Sequence, residues 1–378
     1  MSLSNRQQIY LDFNASTPVD TRVGSLMQQT IAGAYGNPSS SHWSGIPARN
    51  IVETARKKVA ALLGCKPSEI VFTSGGSESN NQVLKGVFFA RKARDVHIIT
   101  SAIEHPAIVE PCRFLERLGA TITWLPVDST GRVNTADLGK FITEDTALVS
   151  IMHANNEVGT LQPIAGCAQI AREHGVPFHT DAAQSVGKVP TRVDELGVDF
   201  LTIAGHKLYA PKGIGALYIR GGSELEPLIH GAGHELGRRA GTESALLTAA
   251  LGEACELAHD LSGMVGIQAL RDRLWTALKE CCGDRVVLNG HPEERLPNTL
   301  NVSFPGHEGN ALLAQLPELA VSTGSACHAN RVEISPVLQA MGVSPEVGAG
   351  AVRFSLGRTT TSEEIETAIE MLTQLLAV

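Results

Sequence analysis

The chain has 378 residues, of which 43% are hydrophobic, and it carries a formal net charge of -8. This length and hydrophobic content suffice for a large buried core, which chains of this size usually divide between two domains. Because nucleic acids and anionic membrane surfaces are bound through concentrated positive charge, the acidic balance argues against both as partners. We expect a protein that handles small metabolites.

The beginning of the chain and its cysteines indicate a cellular compartment. The sequence MSLSNRQQIYLDFNAS lacks the apolar core of a signal peptide, and no apolar run reaches the length of a membrane span. The seven cysteines are scattered without a Cys-x-x-Cys pair, so they indicate neither a disulfide framework nor a zinc site. We therefore expect a cytoplasmic protein without a metal ion.

From about Ile70 to Gly221, short apolar runs alternate with helical patterns. The predicted strands are IVFTS, HIITS, TITWLPV, ALVSIMH, PFHTD, FLTIAG and GALYIR, and the predicted helices are SESNNQVLKGVFFARKA, AIVEPCRFLERLG and AGCAQIAREHG. This alternation predicts an α/β fold in which a mostly parallel sheet is flanked by helices. Ligands of such folds bind beyond the carboxyl ends of the strands.

The pattern changes in the last third of the chain. A long helical region rich in Ala and Leu runs from Thr242 to about Cys282, and short strands follow in RVVLNG, TLNVSF, LAVST and AVRFSL. The final helix opens with a capping box formed by Thr361 and Glu364. We predict a large domain over residues 15–255 and a smaller α+β domain formed by residues 1–14 and 256–378.

Two residues at predicted strand ends indicate the chemistry. Asp181 closes the strand PFHTD, and Lys207 follows the strand FLTIAG in a His-Lys pair. An amine that can form a Schiff base and a carboxylate that keeps a pyridine nitrogen protonated are what an enzyme needs to hold pyridoxal phosphate. The pair predicts carbanion chemistry on an amino acid.

Other polar residues stand at turns of the same predicted sheet. Gly76 and Ser77, between a strand and a helix, could bind a phosphate or form an ordinary capped turn. His105 could stack on the pyridine ring or cap a turn, and Asn155 could donate to cofactor or substrate or belong to a turn. Gln184 could bind the O3' atom of the cofactor or face solvent.

The sequence STGSACHANR places Cys327 after an apolar strand, in a stretch with little secondary-structure signal. His328 is its neighbour and Arg331 is close in sequence. A cysteine in an accessible loop beside basic residues has the setting of a reactive thiolate, whereas the alternative is a partly exposed structural cysteine. The loop context favours the reactive thiolate.

With these residues in place, the chain resembles the NifS-like cysteine desulfurases, a branch of the fold-type I pyridoxal phosphate transferases in the class V aminotransferase superfamily. The resemblance runs from YLDFNASTPVD and YGNPSSSHWSG through FTSGGSESNN, EHPAI, HANNEVG, TDAAQSVGK, GHKLYAPKGIG, RRAGTES and STGSACH to VRFSLGRTTT. The long segment after Cys327 is similar to the group I form. Stretches such as DFLTIAGHKLY resemble selenocysteine lyase equally.

The resemblance implies a role for each site residue. For the cofactor ring, Lys207 would carry the Schiff base, Asp181 would pair with the pyridine nitrogen, His105 would stack on the ring and Gln184 would bind O3'. Ser77 and His206 would bind the phosphate, and in a homodimer Thr242 would reach the phosphate of the partner subunit. Asn155 and Arg353 would bind the substrate carboxylate, and Cys327 would take the sulfur. Lys207 would also remove the Cα proton. Attack of the Cys327 thiolate on the substrate sulfur would then give alanine and a persulfide for an acceptor protein.

Two departures and three alternatives accompany this interpretation. Ala204 stands where many relatives have a serine that binds phosphate, which implies weaker retention of the cofactor, and the end of the chain at Val378 leaves the docking of a scaffold protein an open question. Selenocysteine lyase, which releases selenium from L-selenocysteine, is the alternative enzyme. An ordinary aminotransferase and a catalytically silent sulfur-transfer partner are the other two.

Overall fold

The computed structural model describes residues 8–91, 95–323, 325–328 and 331–376, with the backbone alone at 325–328 and 331–333. The strands are β1 (Ile9–Tyr10), β2 (Ile70–Thr73), β3 (His97–Ser101), β4 (Thr121–Leu125), β5 (Thr146–Ser150), β6 (Phe178–Asp181), β7 (Phe200–Ala204), β8 (Gly215–Ile219), β9 (Val287–Asn289), β10 (Thr299–Ser303), β11 (Leu319–Ala320), β12 (Ser322–Thr323), β13 (Ser325–His328), β14 (Arg331–Ile334) and β15 (Ala351–Ser355). The helices are α1 (Thr21–Gly33), α2 (Gly45–Leu63), α3 (Gly76–Ala90), α4 (Pro106–Glu116), α5 (Thr135–Phe141), α6 (Ile164–Glu173), α7 (Val193–Leu196), α8 (Ala245–Leu257), α9 (Gly263–Cys282), α10 (Gly309–Leu313), α11 (Pro336–Ala340), α12 (Pro345–Gly348) and α13 (Ser362–Leu376).

The central sheet has seven strands among the described residues, in the order β2-β8-β7-β6-β5-β3-β4. Strand β8 runs antiparallel to both of its neighbours, and the pairs from β7 to β4 are parallel. Helices such as α3, α4 and α6 connect the strands. The prediction of an α/β fold with a mostly parallel sheet is confirmed, and every strand and helix predicted between Ile70 and Gly221 is present.

The sheet is buried on both faces because its strands are apolar at consecutive positions. Side chains of a strand point alternately to the two faces. Accordingly Ile99 and Val149 belong to one apolar cluster, while their neighbours Ile98 and Leu148 belong to another on the opposite face. Strands of parallel sheets that are covered by helices on both sides have such continuous hydrophobic sequences. Polar residues are thereby left to the strand ends.

A second, antiparallel sheet of order β12-β15-β10-β9 packs with α9 and α13. Its apolar cluster includes Leu274, Val302 and Leu372, together with Ile9 and Leu11 from the start of the chain. Strand β1 pairs in parallel with β11, which attaches that start to this layer. We propose from this separate cluster that the layer is the core of the smaller domain.

Helix α13 begins as the capping box predicted. The Glu364 side chain accepts from the Thr361 N–H at 2.8 Å, and the Thr361 hydroxyl accepts from the Glu364 N–H at 3.1 Å. By contrast, the helical region predicted from Thr242 to Cys282 is interrupted, since α8 ends at Leu257 and α9 begins at Gly263. In the turn between them, the Asp260 carboxylate accepts from the Ser262 N–H at 2.9 Å. This local bond competes with helix continuation.

The segment around Cys327 also differs from the loop expected. Strands β13 and β14 pair antiparallel, with Cys327 opposite Val332 and Ser325 opposite Ile334. These residues carried little strand signal because Ser, Ala, His and Arg are not strong strand formers. The side chain of Cys327 lies outside the described part of the structure.

Within the described residues, no helix combines the length and the hydrophobicity needed to cross a membrane. In the same residues, no group of three or more His, Cys, Asp or Glu side chains is arranged to hold a metal ion. The described cysteines are free thiols at positions 65, 112, 167, 255, 281 and 282.

Candidate active site

A cavity of about 410 Å³ lies at the carboxyl ends of β5, β6 and β7 and at the start of α3. Among its lining residues it brings together the predicted residues Gly76, Ser77, His105, Asp181, Gln184, His206, Lys207 and Arg353. These residues are far apart in the sequence, from Gly76 to Arg353. Their convergence at one edge follows from the parallel sheet, whose strands end on the same side.

Asp181 is the last residue of β6 and is 7% exposed. One carboxylate oxygen accepts from the Asn80 side chain at 2.7 Å, and the other accepts from the Ala183 N–H at 2.9 Å. Asn80 lies on α3 and is fully buried. The carboxylate is therefore fixed in orientation by groups on two elements. Sequence reasoning missed Asn80, although it lies within the motif FTSGGSESNN.

Lys207 follows β7, and its amine points to the start of the chain. The Nζ atom donates to the carbonyl oxygens of Asn14 at 2.5 Å and Ala15 at 2.8 Å. Burial, and then the charge of Arg353, lower the pKa of Lys207 to about 8. A sizeable fraction of the amine is thus neutral near pH 7 to 8, as a nucleophile or base requires.

Asn14 connects Lys207 to a second buried amine. Its carbonyl oxygen also accepts from Gln184 Nε2 at 2.9 Å, and Gln184 Oε1 accepts from Lys188 Nζ at 2.9 Å. Burial, followed by the charges of Lys207 and Arg353, lowers the pKa of Lys188 to about 7. Gln184 is therefore a buried residue with a fixed amide and not the surface residue of the alternative interpretation. Neither Asn14 nor Lys188 carried a signal in the sequence alone.

The start of α3 is shaped for an anion. Gly75 precedes it with φ of +150°, a conformation that favours glycine. The backbone of Gly215 on β8 lies close to this turn, because a Cβ built on Gly215 would come within 2.7 Å of the Gly75 Cα. Gly76 and the exposed Ser77 then line the cavity with the first N–H groups of the helix. The positive end of a helix with free N–H groups is a phosphate site.

His206 and Ala204 lie beside this helix start. Burial, and then the charge of Lys207, lower the pKa of His206 to about 4, so the ring is neutral at pH 7. The Ala204 methyl group would be 3.4 Å from a Cβ built on Gly76. The serine that many relatives have at this position would thus stand next to the helix start, whereas alanine offers no donor.

His105 caps a helix and also lies at the cavity, while its stacking on a pyridine ring stays a prediction. Its Nδ1 accepts from the Ala107 N–H at 3.0 Å and caps α4, while the ring lines the cavity. Removal from water lowers the pKa of His105, with the charge of Asp181 opposing this and that of Lys207 adding to it. Because Nδ1 accepts, the proton of the neutral ring is assigned to Nε2.

Arg353, on β15, reaches the cavity from the second sheet. Its Nη1 donates to the Asn156 carbonyl at 2.9 Å, and its Nη2 donates to Asp12 at 2.8 Å and to the Ser322 hydroxyl at 2.9 Å. The Nε atom is buried and has no hydrogen-bond partner among the described residues. The guanidinium is therefore held in place with its Nε–H donor still available.

Three predicted residues are not gathered in this cavity. Asn155 is fully buried, donates to the Ile103 carbonyl at 3.0 Å and does not line it, whereas its neighbour Asn156 does. Thr242 lines a separate pocket of about 200 Å³. The Cys327 side chain lies outside the described residues. The roles expected of these three stay predictions.

The chain is similar to known proteins over nearly its whole length. Residues 9–367 match the family model described as aminotransferase class-V. The chain is 46% identical to cysteine desulfurase IscS of Dictyoglomus turgidum, over 98% of this chain and 95% of that protein.

Solved structures are similar as well. A NifS-like protein superposes with a TM-score of 0.92 at 40% identity, covering 98% of this chain and 100% of the other. The structure described as SspA in complex with cysteine has a TM-score of 0.82 at 39% identity, covering 93% and 100%. The likeness extends over both sheets, since the matched regions include nearly the whole chain.

Proposed function

Because this chain belongs to the class-V aminotransferase family and matches a cysteine desulfurase over nearly its whole length, we propose that it is a pyridoxal phosphate-dependent cysteine desulfurase. It converts L-cysteine to L-alanine and places the sulfur on Cys327 as a persulfide. The observation that carries the proposal is the cavity at the strand ends, which joins the amine of Lys207, the carboxylate of Asp181 and the guanidinium of Arg353.

The residues of the cavity fit the cofactor. Asp181 offers a fixed carboxylate for a protonated ring nitrogen, Lys207 offers an amine for the aldehyde, and Gly76 with Ser77 offers a helix start for the phosphate. Gln184 presents a fixed amide for the ring oxygen. When bound, pyridoxal phosphate supplies an electron sink that stabilises negative charge at the Cα atom of an amino acid.

Lys207 would hold the cofactor and would then act as the base. Its free Nζ would take the Cα proton of cysteine. The pKa of about 8 suits this task, because a general base works best with a pKa near the operating pH. The carbonyl groups of Asn14 and Ala15, which accept from Nζ, keep the amine at this end of the cavity.

Arg353 binds the carboxylate of the substrate. A carboxylate can bridge the Nε and Nη2 donors of an arginine in a bidentate contact. Here Nε is free of partners within the described residues, while Nη2 is shared by Asp12 and Ser322. Substrate binding therefore replaces or shares one of these two hydrogen bonds.

Cys327 takes the sulfur. Its thiolate attacks the substrate sulfur, so that an S–S bond forms as the C–S bond breaks, and the electron pair of the broken bond stays with the substrate carbon. The Cβ and Cα atoms each take up one proton, and the product leaves as alanine. The persulfide on Cys327 then passes its outer sulfur to an acceptor protein or a thiol reductant.

The test is to incubate the holoenzyme with L-cysteine and to measure alanine together with the mass of the Cys327 peptide. We expect alanine and a gain of one sulfur on that peptide, and borohydride treatment should attach the cofactor to Lys207. The variant Cys327→Ala should lose alanine formation, whereas Cys281→Ala, at another free thiol, should not. Alanine formation that survives in Cys327→Ala would refute the sulfur acceptor.

The alternatives are separated by the same assay. The relatives found here are cysteine desulfurases, which does not favour selenocysteine lyase. Parallel incubation with L-selenocysteine compares the two substrates directly. An aminotransferase would consume a keto acid and form no persulfide, and a silent sulfur-transfer partner would form no alanine from either substrate.

We propose a homodimer in which Thr242 completes the phosphate site of the partner subunit. Among the described residues, large apolar side chains are exposed, including Tyr35 at 76%, Trp43 at 78% and Leu236 at 71%. Leu236 lines a depression of about 640 Å³ that shares Glu235 and Glu243 with the Thr242 pocket. An exposed apolar side chain at a depression beside Thr242 supports a protein interface there.

We propose the cytoplasm as the compartment. The described cysteines are free thiols, which suits a reducing environment. Persulfide chemistry requires the same conditions, because an oxidising compartment would consume the thiol of Cys327.

A further inference from the structure

A buried hydrogen bond lies at the base of the segment that carries Cys327. The Ser335 hydroxyl donates to a carboxylate oxygen of Glu157 and accepts from the Val337 N–H at 3.1 Å. Ser335 is 6% exposed and caps α11, a helix that follows β14 directly. The serine hydroxyl therefore makes two separate hydrogen bonds. The helix cap uses the oxygen as an acceptor, and the bond to Glu157 uses the hydroxyl hydrogen.

Glu157 belongs to the turn that supports the substrate site. Its N–H donates to the Asn155 side chain at 2.9 Å, and the preceding carbonyl, of Asn156, accepts from Arg353 Nη1 at 2.9 Å. Burial raises the pKa of Glu157, while the bond from Ser335 and the charge of Arg353 oppose that rise. The same turn therefore fixes both the arginine and Ser335.

Ser335 is connected to the backbone of Cys327 through the pairing of β13 with β14. Ile334, the preceding residue, pairs with Ser325, and two residues further along the ladder Val332 pairs with Cys327. Ile334 is also packed closely, since its Cγ2 would lie 3.0 Å from a Cβ built on Gly348. Helix α11 adds Val337 and Leu338 to the apolar cluster of Ile103 and Met152.

We propose that Glu157 is a positioning residue for sulfur transfer, which holds Ser335 and thereby sets the strand pair bearing Cys327 relative to Arg353. The inference rests on the proposed function. Its physical basis is that a nucleophile reacts only from a near-attack geometry, so a misplacement of about 1 Å can lower the rate on the order of a hundredfold. Neither Glu157 nor Ser335 lines the cavity that holds Lys207 and Arg353.

The variants separate the hydrogen bond from the helix cap. Glu157→Gln keeps an acceptor for Ser335, whereas Glu157→Leu removes it at similar size. Ser335→Gly removes the donor, while glycine is nearly as favourable as serine at a helix N-cap. Asn134→Gly is the matched control, because Asn134 caps α5 through the same kind of bond to the Ala136 N–H.

Each holoenzyme is mixed with L-cysteine, and three quantities are measured: the change in cofactor absorbance on binding, the rate of sulfur addition to the Cys327 peptide, and kcat and KM for alanine. In Glu157→Leu and Ser335→Gly we expect sulfur addition and kcat to fall at least tenfold, with KM and the absorbance change within threefold of wild type. Glu157→Gln should retain most of the rate, and Asn134→Gly should match wild type.

Several results would overturn the inference. These are an unchanged rate of sulfur addition in Glu157→Leu, equal losses in Glu157→Gln and Glu157→Leu, or a change in KM alone. If the wild-type protein forms alanine without sulfur on the Cys327 peptide, the proposed function itself fails, and the positioning role falls with it. The two failures are thereby distinguished.

Discussion

Two lysine amines and one guanidinium share the buried side of the active site. Lys207 has a pKa lowered to about 8 and Lys188 one lowered to about 7, in both cases chiefly because burial disfavours the charged form. Arg353 adds to both shifts. Because these groups repel one another when charged, the protonation of each depends on the others. Binding of an anionic substrate or cofactor reduces this repulsion.

The first prediction concerns the charge of Arg353. Since this charge lowers the pKa of Lys207, replacement by methionine in Arg353→Met should raise that pKa toward its ordinary value of 10.5. Attachment of pyridoxal phosphate to the apoprotein requires the neutral amine, so its rate should rise at higher pH than in wild type. Borohydride trapping at Lys207 across a pH series measures the midpoint. Arg353→Lys keeps the charge, and an identical midpoint in all three proteins would contradict the argument.

The second prediction concerns Lys188 and stability. In the folded protein this amine loses its proton near pH 7, whereas in the unfolded chain it keeps the proton up to about 10.5. The unfolded state therefore binds more protons between these values, and the contribution of Lys188 to the free energy of unfolding rises with pH over this range. Lys188→Met should remove that rise.

Urea unfolding at pH 7 and pH 9 measures this difference. The free energy of unfolding should increase less with pH in Lys188→Met than in wild type. Lys140→Met is the control, because the Lys140 side chain is 70% exposed. Equal pH dependence in Lys188→Met and in wild type would show that the amine is not desolvated as the structure indicates.

At the scale of elements, a buried ion pair fixes the turn that leads to Thr242. Arg56, on α2, donates to the two carboxylate oxygens of Glu235 at 2.7 and 3.0 Å, and Glu235 also accepts from the Phe72 N–H at 3.0 Å. Glu235 and Leu236 have φ of 49° and 58°, values that non-glycine residues seldom adopt. The ion pair thus compensates backbone strain in a segment that exposes Leu236.

The third prediction follows from this burial. Glu235→Ala leaves the buried Arg56 charge with only Glu53, whose side chain is 52% exposed, as an ion-pair partner, which should lower the free energy of unfolding by about 3–5 kcal/mol. Glu366→Ala breaks the pair with Arg273, whose side chains are 47% and 49% exposed, and should change stability little. Urea unfolding compares the two. A similar small effect of both would mean that solvent reaches Arg56 and compensates it.

At the scale of the whole molecule, the site described here is incomplete if Thr242 serves the partner. Thr242 is exposed and separate from the cavity that holds Lys207. Its pocket and the neighbouring depression form one surface with exposed apolar groups. A homodimer would cover these groups and give each cofactor residues from both chains.

The fourth prediction is subunit complementation. Lys207→Ala should abolish activity, and Thr242→Glu should weaken cofactor binding at least tenfold by placing negative charge at the phosphate. A mixed dimer has one site with an intact Lys207 from one chain and an intact Thr242 from the other. Mixing the two inactive proteins under conditions of subunit exchange should therefore restore up to one active site per mixed dimer.

Alanine formation from L-cysteine and the sedimentation of the mixture provide the measurement. Two preparations of Lys207→Ala mixed together are the control and should remain inactive. A dimeric mixture with no recovered activity, or a protein that sediments as a monomer while fully active, would disprove the shared site.

The sequence by itself determined the fold class and the strand ends at which the site lies. Alternation of apolar runs with helical patterns is local, so the seven strands of the central sheet and the capping box at Thr361 could be predicted from neighbouring residues. Asp181 and Lys207 could be placed because each follows such a strand directly. These predictions needed no knowledge of distant contacts.

Only the tertiary structure decided which polar groups meet. Asn80 contacts Asp181 across 101 positions, Lys207 contacts Asn14 across 193, and Ser335 contacts Glu157 across 178. No periodicity links residues so far apart, and an asparagine or serine reads the same way in a turn as in a site. Burial then sets the pKa of Lys188 and Lys207, because desolvation depends on the packing of the whole fold around each amine.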